Sequence, residues 1–511
     1  MTAAYLNRGS KVYMWGLAAV LIAVSTAPIL ILYAQALVKL LTENSFKVPQ
    51  ISIGLLLRSL SLSLVSTLLC TLLGIASALF VWSCRPKAAS RLMSMLLICA
   101  LIPHFIHVHS WIKAADFLNN ILGYLIPLSP DFTGNGAVIW TTAMSYLPFT
   151  AGLGYLGFKS LPAGTIDLLK TEDDSFKSFL RIIVPYSLPF VLTGMIFVFL
   201  ITINDFAIPS VFGVSVYALE LFALFSAGGN IYAIALAASP LVLLSVILLA
   251  VFLKLASSID LTDDFSNAGS PYERSPAGGV VLAVFAGIPV AAMVAESLKV
   301  KEIVEVLIRS TGQISYSLLT SMLTAVIAVL PAALFSYLRS HTRKGRWVTI
   351  LLALPFLIPS AMLGLSLISF WNKSILSDIY TSPVMPSIGL AIRFGILAIL
   401  YMSYRFDRID REITDAMKLE ISAAGGFFRI VLPLLARDMA ACMMLIFALS
   451  MGEYGIVLLL TPPGYQMVTV KIYNYIHYGA SEIVFALNMI VLLSVLAAGS
   501  IIMKLYRKRN I

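Results

Sequence analysis

Twelve apolar stretches follow one another through this chain with only short polar intervals between them. They lie at 14–38, 53–82, 92–112, 136–158, 182–209 and 231–255, then at 277–297, 313–338, 347–371, 386–404, 430–460 and 480–503. A helix crosses the hydrocarbon core of a bilayer with about 20 mostly apolar residues, so each stretch is long enough for one span. Charged residues make up only 12% of the chain, against about 25% in an ordinary soluble domain. A chain this apolar cannot cover itself with polar surface, and its solvent is lipid. Arg8 and Lys11 precede a first run too long for the apolar core of a cleaved signal peptide, which predicts an uncleaved first span. Cys70, Cys84, Cys99 and Cys442 lie in or beside apolar runs without metal-type spacing and read as small hydrophobes.

Charge sets the expected orientation. With the N-terminus inside, the inner intervals hold 24 of the 35 Lys and Arg and the outer ones 9. Arg393 and Arg437 fall within spans. Such a bias places both termini in the cytoplasm. It also explains the net charge of +10 without nucleic acid.

Two polar segments share one pattern. Asp167–Pro185 (DLLKTEDDSFKSFLRIIVP) and Asp415–Pro433 (DAMKLEISAAGGFFRIVLP) superpose at a shift of 248 residues. Asp167, Lys170, Glu172, Phe179, Arg181 and Pro185 then fall on Asp415, Lys418, Glu420, Phe427, Arg429 and Pro433. The same shift sets Asn204-Asp205-Phe206-Ala207-Ile208 on Gly452-Glu453-Tyr454-Gly455-Ile456. Leu101-Ile102-Pro103 matches Leu357-Ile358-Pro359 at a shift of 256. A chain with two such copies was built twice. The expected fold is therefore an all-α polytopic membrane protein of about 12 transmembrane helices in two six-helix repeats, 1–256 and 277–511. An even number of spans per repeat inserts both the same way up, and 257–276, rich in Ser, Asp and Pro, reads as a cytoplasmic linker. Within the polar segments, charges at three- and four-residue spacing with interleaved Leu and Phe suit a short surface helix that offers side chains to a partner.

Position, spacing and the closing proline resemble the EAA loop of the membrane subunits of type I ATP-binding-cassette importers. Asp415-Ala416-Met417 stands for the family's Glu-Ala-Ala, and Ile430-Val431-Leu432-Pro433 matches its ending; the first copy matches more loosely, and the family's glycine is missing from its expected place in both. The layout looks most like the fused permeases of ferric-iron-type and thiamine-type importers. The resemblance implies coupling helices at about 163–180 and 411–428 that dock on a homodimer of cytoplasmic ATPase. Asp167, Lys170, Glu172, Phe179, Arg181, Asp415, Lys418, Glu420, Phe427 and Arg429 would carry that contact. It further implies a periplasmic or lipid-anchored binding protein delivering a small solute, a bacterial inner membrane, and ATP and Mg bound by the partner. Ferric iron is the leading cargo, with thiamine, polyamine, phosphonate and oxyanions as alternatives.

The chain itself contains no GxxxxGK[ST], so it has no phosphate cradle of its own, and no catalytic or metal-ligand spacing that would make it an enzyme. Asp205, Phe206, Glu453 and Tyr454 are the candidates for a pathway or gate. Carboxylates in a span usually face a cavity or a partner, so Asp205 and Glu453 either favour cationic cargo or hold the fold by a cap or ion pair. His104, His107 and His109 do not share one helical face and read as packed rather than metal-binding. Arg393 needs a partner that the sequence does not name. Pro103, Pro331, Pro355 and Pro359 are candidate kinks. The rival reading is an ion-coupled secondary transporter, which would also have twelve spans in parallel halves.

Overall fold

A computed structural model describes residues 2–122, 132–162, 164–165, 179–256, 276–297, 303–340, 346–373, 375–409, 425, 427–477 and 481–507. Among these residues all regular structure is helical. In chain order the helices are α1 (Thr2–Ser25), α2 (Ala27–Thr42), α3 (Ile53–Trp82), α4 (Pro86–Cys99), α5 (His104–Leu122) and α6 (Gly134–Lys159). A five-residue π turn, Phe179–Ile183, leads into α7 (Val184–Ile203), followed by α8 (Ala207–Val211), α9 (Tyr217–Ser226), α10 (Ile231–Ala237) and α11 (Ser239–Ala256). Then come α12 (Pro276–Ser297), α13 (Ile303–Arg309), α14 (Thr311–Ser340), α15 (Arg346–Leu357), α16 (Ser360–Trp371), α17 (Ser377–Tyr380) and α18 (Met385–Asp407). A second π turn, Phe427–Val431, opens α19 (Leu432–Gly452), and α20 (Gly455–Leu460), α21 (Val468–His477) and α22 (Ser481–Arg507) close the chain.

The distribution of side chains in α3 identifies the solvent. Leu57, Leu64, Val65, Leu68 and Leu72 are exposed, while Ser59, Ser63, Ser66, Thr67 and Thr71 are buried. In α14, Leu318, Leu319, Met322, Leu323 and Leu330 face out and Ser317, Thr320, Ser321 and Thr324 face in. Water would reverse that pattern; lipid favours it, because hydroxyls and small residues let helices approach and bond across the contact. Thr150 of α6 donates to the Cys70 carbonyl (3.0 Å), and Gly74 leaves room for Thr150 where a Cβ would collide with it. Between α14 and α18, Ser387 donates to the Thr320 carbonyl (3.2 Å) and Ser403 to Ser336 Oγ (3.1 Å).

Among the described residues six helices are long and apolar enough to cross a membrane, and up to ten spans result when each bent pair counts as one. The chain is that of a multi-pass membrane protein. Two expected spans differ sharply from a straight rod. Between Pro86–Cys99 and His104–Phe117 the chain bends by 100°, and between Trp347–Leu357 and Ser360–Trp371 by 107°. Pro103 and Pro359 lie at these breaks, where proline disfavours helical geometry in the residue before it. Pro331 and Pro355, by contrast, sit inside continuous helices. The stretches expected at 182–209 and 430–460 are also shorter than the sequence suggested: α7 stops at Ile203 and α19 at Gly452, each followed by a break and a short helix.

The first helices pack across the expected boundary between halves. Helix α1 lies against α14 and α15, and α2 against α16; reciprocally, α12 lies against α3 and α5. Near the other end of each half, α11 packs on α15 and α22 on α4. Chain segments 1–256 and 277–511 are thus interlocked, with one large apolar cluster running through residues of both.

Candidate functional site

The centre of the molecule is built from the two breaks that follow α7 and α19. At the first, Ala207 N–H donates to Asp205 Oδ1 (2.8 Å), and the carboxylate starts α8. At the second, Ile456 N–H donates to Glu453 Oε1 (3.4 Å) at the start of α20. A carboxylate at a helix N-terminus satisfies free N–H groups and opposes the positive end of the helix dipole. Each acid therefore ends one helix and begins the next.

The two breaks meet. Phe206 and Tyr454 are buried, with ring centroids 6.0 Å apart. Phe206 stacks on Phe222 of α9 (5.1 Å) and Tyr454 on Tyr473 of α21 (4.1 Å), giving a row of four rings across the centre. Each break also rests on the bend of the opposite half. Asn204 Nδ2 lies 2.9 Å from the Leu357 carbonyl, which the bend before Pro359 leaves free, and 3.2 Å from Ser245 Oγ. Gly452, the residue matched to Asn204, sits against the Pro103 ring, where a Cβ would have no room. Gly455 similarly fits against Ser360 and Phe206.

The charges are arranged unequally. Arg393 of α18 lies 3.7 Å from Glu453, with both side chains largely buried. Asp205 has no basic residue in an ion pair with it among the described residues, and its Oδ2 has neither exposed surface nor a hydrogen-bond partner. His104 and Glu453 act on it electrostatically. Asp205 lines a small cavity of about 20 Å³ together with Ser59, Ser63, Ser66, Thr142 and Thr202. A second cavity of the same size, beside His104, Tyr454 and Tyr473, is lined mainly by apolar groups.

No model of a known protein family matches this chain.

Of the residues expected to meet a partner, Asp167, Lys170, Glu172, Asp415, Lys418 and Glu420 lie outside the described residues, as does the side chain of Phe179. Arg181 and Arg429 are exposed. Phe427 requires a correction: it is only 5% exposed and packs against Tyr337 (5.7 Å), which in turn meets Phe406. It anchors the end of its polar segment to α14 and α18 instead of offering surface to a partner. Its neighbour Phe428, passed over in the sequence, is 63% exposed.

The histidines separate as their spacing suggested. His109 Nδ1 bonds its own helix at the Phe105 carbonyl (2.9 Å), and His107 stacks on Phe285 of α12 (5.7 Å). Among the described residues there is no group of three potential metal ligands. Sequence reasoning missed the pair Arg405–Asp438, 3.0 Å apart and buried, with the Tyr401 hydroxyl donating to the same carboxylate oxygen (3.4 Å). The signal was available: an aspartate inside an apolar run needs a partner.

Proposed function

We propose that this chain is the membrane-spanning subunit of an ATP-driven importer, with about 12 transmembrane helices in two parallel six-helix repeats. The observation that carries the reading is the recurrence, at one shift of 248 residues, of a polar segment, a π turn and a broken helix. The turns Phe179–Ile183 and Phe427–Val431 correspond residue for residue, and so do the breaks at Asp205 and Glu453. The hydrogen bond from Tyr217 N–H to Ser59 Oγ (2.8 Å) reappears from Val468 N–H to Ser317 Oγ (2.8 Å), which extends the correspondence to the helices after each break. The chain has no nucleotide-binding motif, so the energy comes from a separate ATPase homodimer that grips both polar segments from the cytoplasm. A binding protein on the outer face of a bacterial inner membrane delivers the solute. Ferric iron leads as cargo on the resemblance, with thiamine, polyamine, phosphonate or oxyanion cargo in the same role. The Phe206–Tyr454 contact is the closed gate, and the interlocked halves part there when the ATPase dimer closes. A partner can drive that change only by binding the two states unequally.

The experiment is uptake with the partner ATPase co-expressed, comparing the wild type with a Phe428→Ala, Arg429→Ala double variant. Truncating an exposed anchor of an interface costs about tenfold or more in affinity, so both uptake and recovery of the ATPase on the purified chain should fall while membrane insertion stays unchanged. Unaltered uptake would refute the docking role. The unpaired Asp205 supports one other reading, a carrier driven by an ion gradient. Uptake that survives ATP depletion would favour that carrier.

A further inference from the structure

We propose that the cavity beside Asp205 is a binding site for one dehydrated sodium ion. The donor set comes first. Asp205 supplies a carboxylate oxygen, Oδ2, that has no protein partner and no contact with solvent. The same cavity is lined by the hydroxyls of Ser59, Ser63 and Ser66 on one face of α3, Thr142 of α6 and Thr202 in the last turn of α7, and Leu62, Val138, Ile203, Pro209 and Val216 complete its wall. Ser59 donates its proton to the Leu55 carbonyl (3.0 Å) and Thr202 to the Phe199 carbonyl (3.1 Å). A hydroxyl that donates elsewhere still offers lone pairs; Ser59, which also accepts from Tyr217 N–H (2.8 Å), keeps one of its two. Every polar side chain on that wall presents oxygen, a donor type that suits a hard cation.

Size and charge narrow the occupant. A cavity of about 20 Å³ admits a single water-sized particle, which excludes a hydrated ion or an organic cation. One carboxylate neutralises a monovalent ion; a divalent ion would leave a net charge buried at membrane depth, where it is expensive. Broken helices of this kind hold ions in membrane carriers. The matched position in the other half acts as a control: Glu453 already has Arg393 as its cation.

The test is saturable binding of radioactive sodium to the purified chain in nanodiscs, with choline chloride holding the ionic strength constant. The wild type should bind one ion per chain, and Asp205→Asn should abolish binding. Ser66→Ala and Thr142→Val should each weaken it by about tenfold, a typical loss when support for an ion site is removed, and they keep the test decisive if Asp205→Asn does not fold. A paired Arg393→Gln, Glu453→Gln variant should bind as the wild type does. Absence of saturable binding in the wild type, as when a water fills the cavity, would overturn the proposal. So would binding unchanged in all three cavity variants. No ATPase enters the measurement, so its failure leaves the importer reading untouched.

Discussion

Asp205 and Glu453 occupy matched places, each accepting a backbone N–H from the first turn of the short helix after a broken span, yet their charges are met differently. Glu453 has the Arg393 guanidinium 3.7 Å away, whereas Asp205 has hydroxyls and a void. The same backbone solution thus tolerates two electrostatic ones. That bond belongs to the fold, since both halves use it. The counter-charge is local, since among the described residues one half has it and the other does not. The acid that keeps an unsatisfied oxygen is the one free to do something besides hold the helix.

The largest effect should come from breaking the pair on the Glu453 side. Removing one partner of a buried ion pair leaves the other charge stranded and costs about 3–5 kcal/mol. Arg393→Gln should therefore lower thermal stability in detergent by several degrees, and Arg393→Gln combined with Glu453→Gln should restore most of it. If the double variant is as unstable as the single one, the pair is not what sets the difference between the halves.

Next in size are the contacts between each break and the opposite bend. Gly452→Ala would push a methyl group into Pro103, and overpacking of this kind costs about 1–3 kcal/mol. Asn204→Ala removes the amide that reaches the Leu357 carbonyl and Ser245; leaving a buried acceptor unmet costs about 1–3 kcal/mol. Both variants should reduce the melting temperature by similar amounts. A large loss for one and none for the other would mean that the two cross-contacts are not equivalent.

Long apolar helices were legible in the sequence because their signal is local. The expected stretch 53–82 matches α3, and 313–338 lies inside α14. The bends were legible only as candidates: four prolines were marked, and two of them, Pro331 and Pro355, continue a helix. Proline constrains its own turn, but whether the chain then breaks depends on what receives the freed carbonyl, as Asn204 does for Leu357. The break at Glu453 was missed for the same reason. The run 430–460 reads as continuous, and what interrupts it is a cap and a pairing with Arg393 from another helix. Phe427 and Phe428 illustrate the limit in miniature. Adjacent and chemically identical, they end 5% and 63% exposed, and only Tyr337 from α14 decides which one turns inward.

The smallest effect on stability should come from Asp205→Asn, and its smallness is informative. The amide oxygen of asparagine can still accept from Ala207 N–H, so the bond that starts α8 survives. What disappears is a carboxylate oxygen that no protein hydrogen bond meets, whose burial costs the native state free energy when no ion is present. In sodium-free buffer the variant should stay within about 1 kcal/mol of the wild type in stability, because the bond to Ala207 N–H is kept and the oxygen that is lost had no partner. Adding sodium should then raise the melting temperature of the wild type but not of Asp205→Asn, since a ligand that binds only the folded chain stabilises it in proportion to the logarithm of its excess over Kd. Glu453→Gln should behave in the opposite way, destabilised in every buffer by an orphaned Arg393 yet still stabilised by added sodium, because Asp205 and its cavity are untouched. If both acids respond alike, the unequal treatment of the two halves has no energetic meaning, and the void beside Asp205 is only a packing fault.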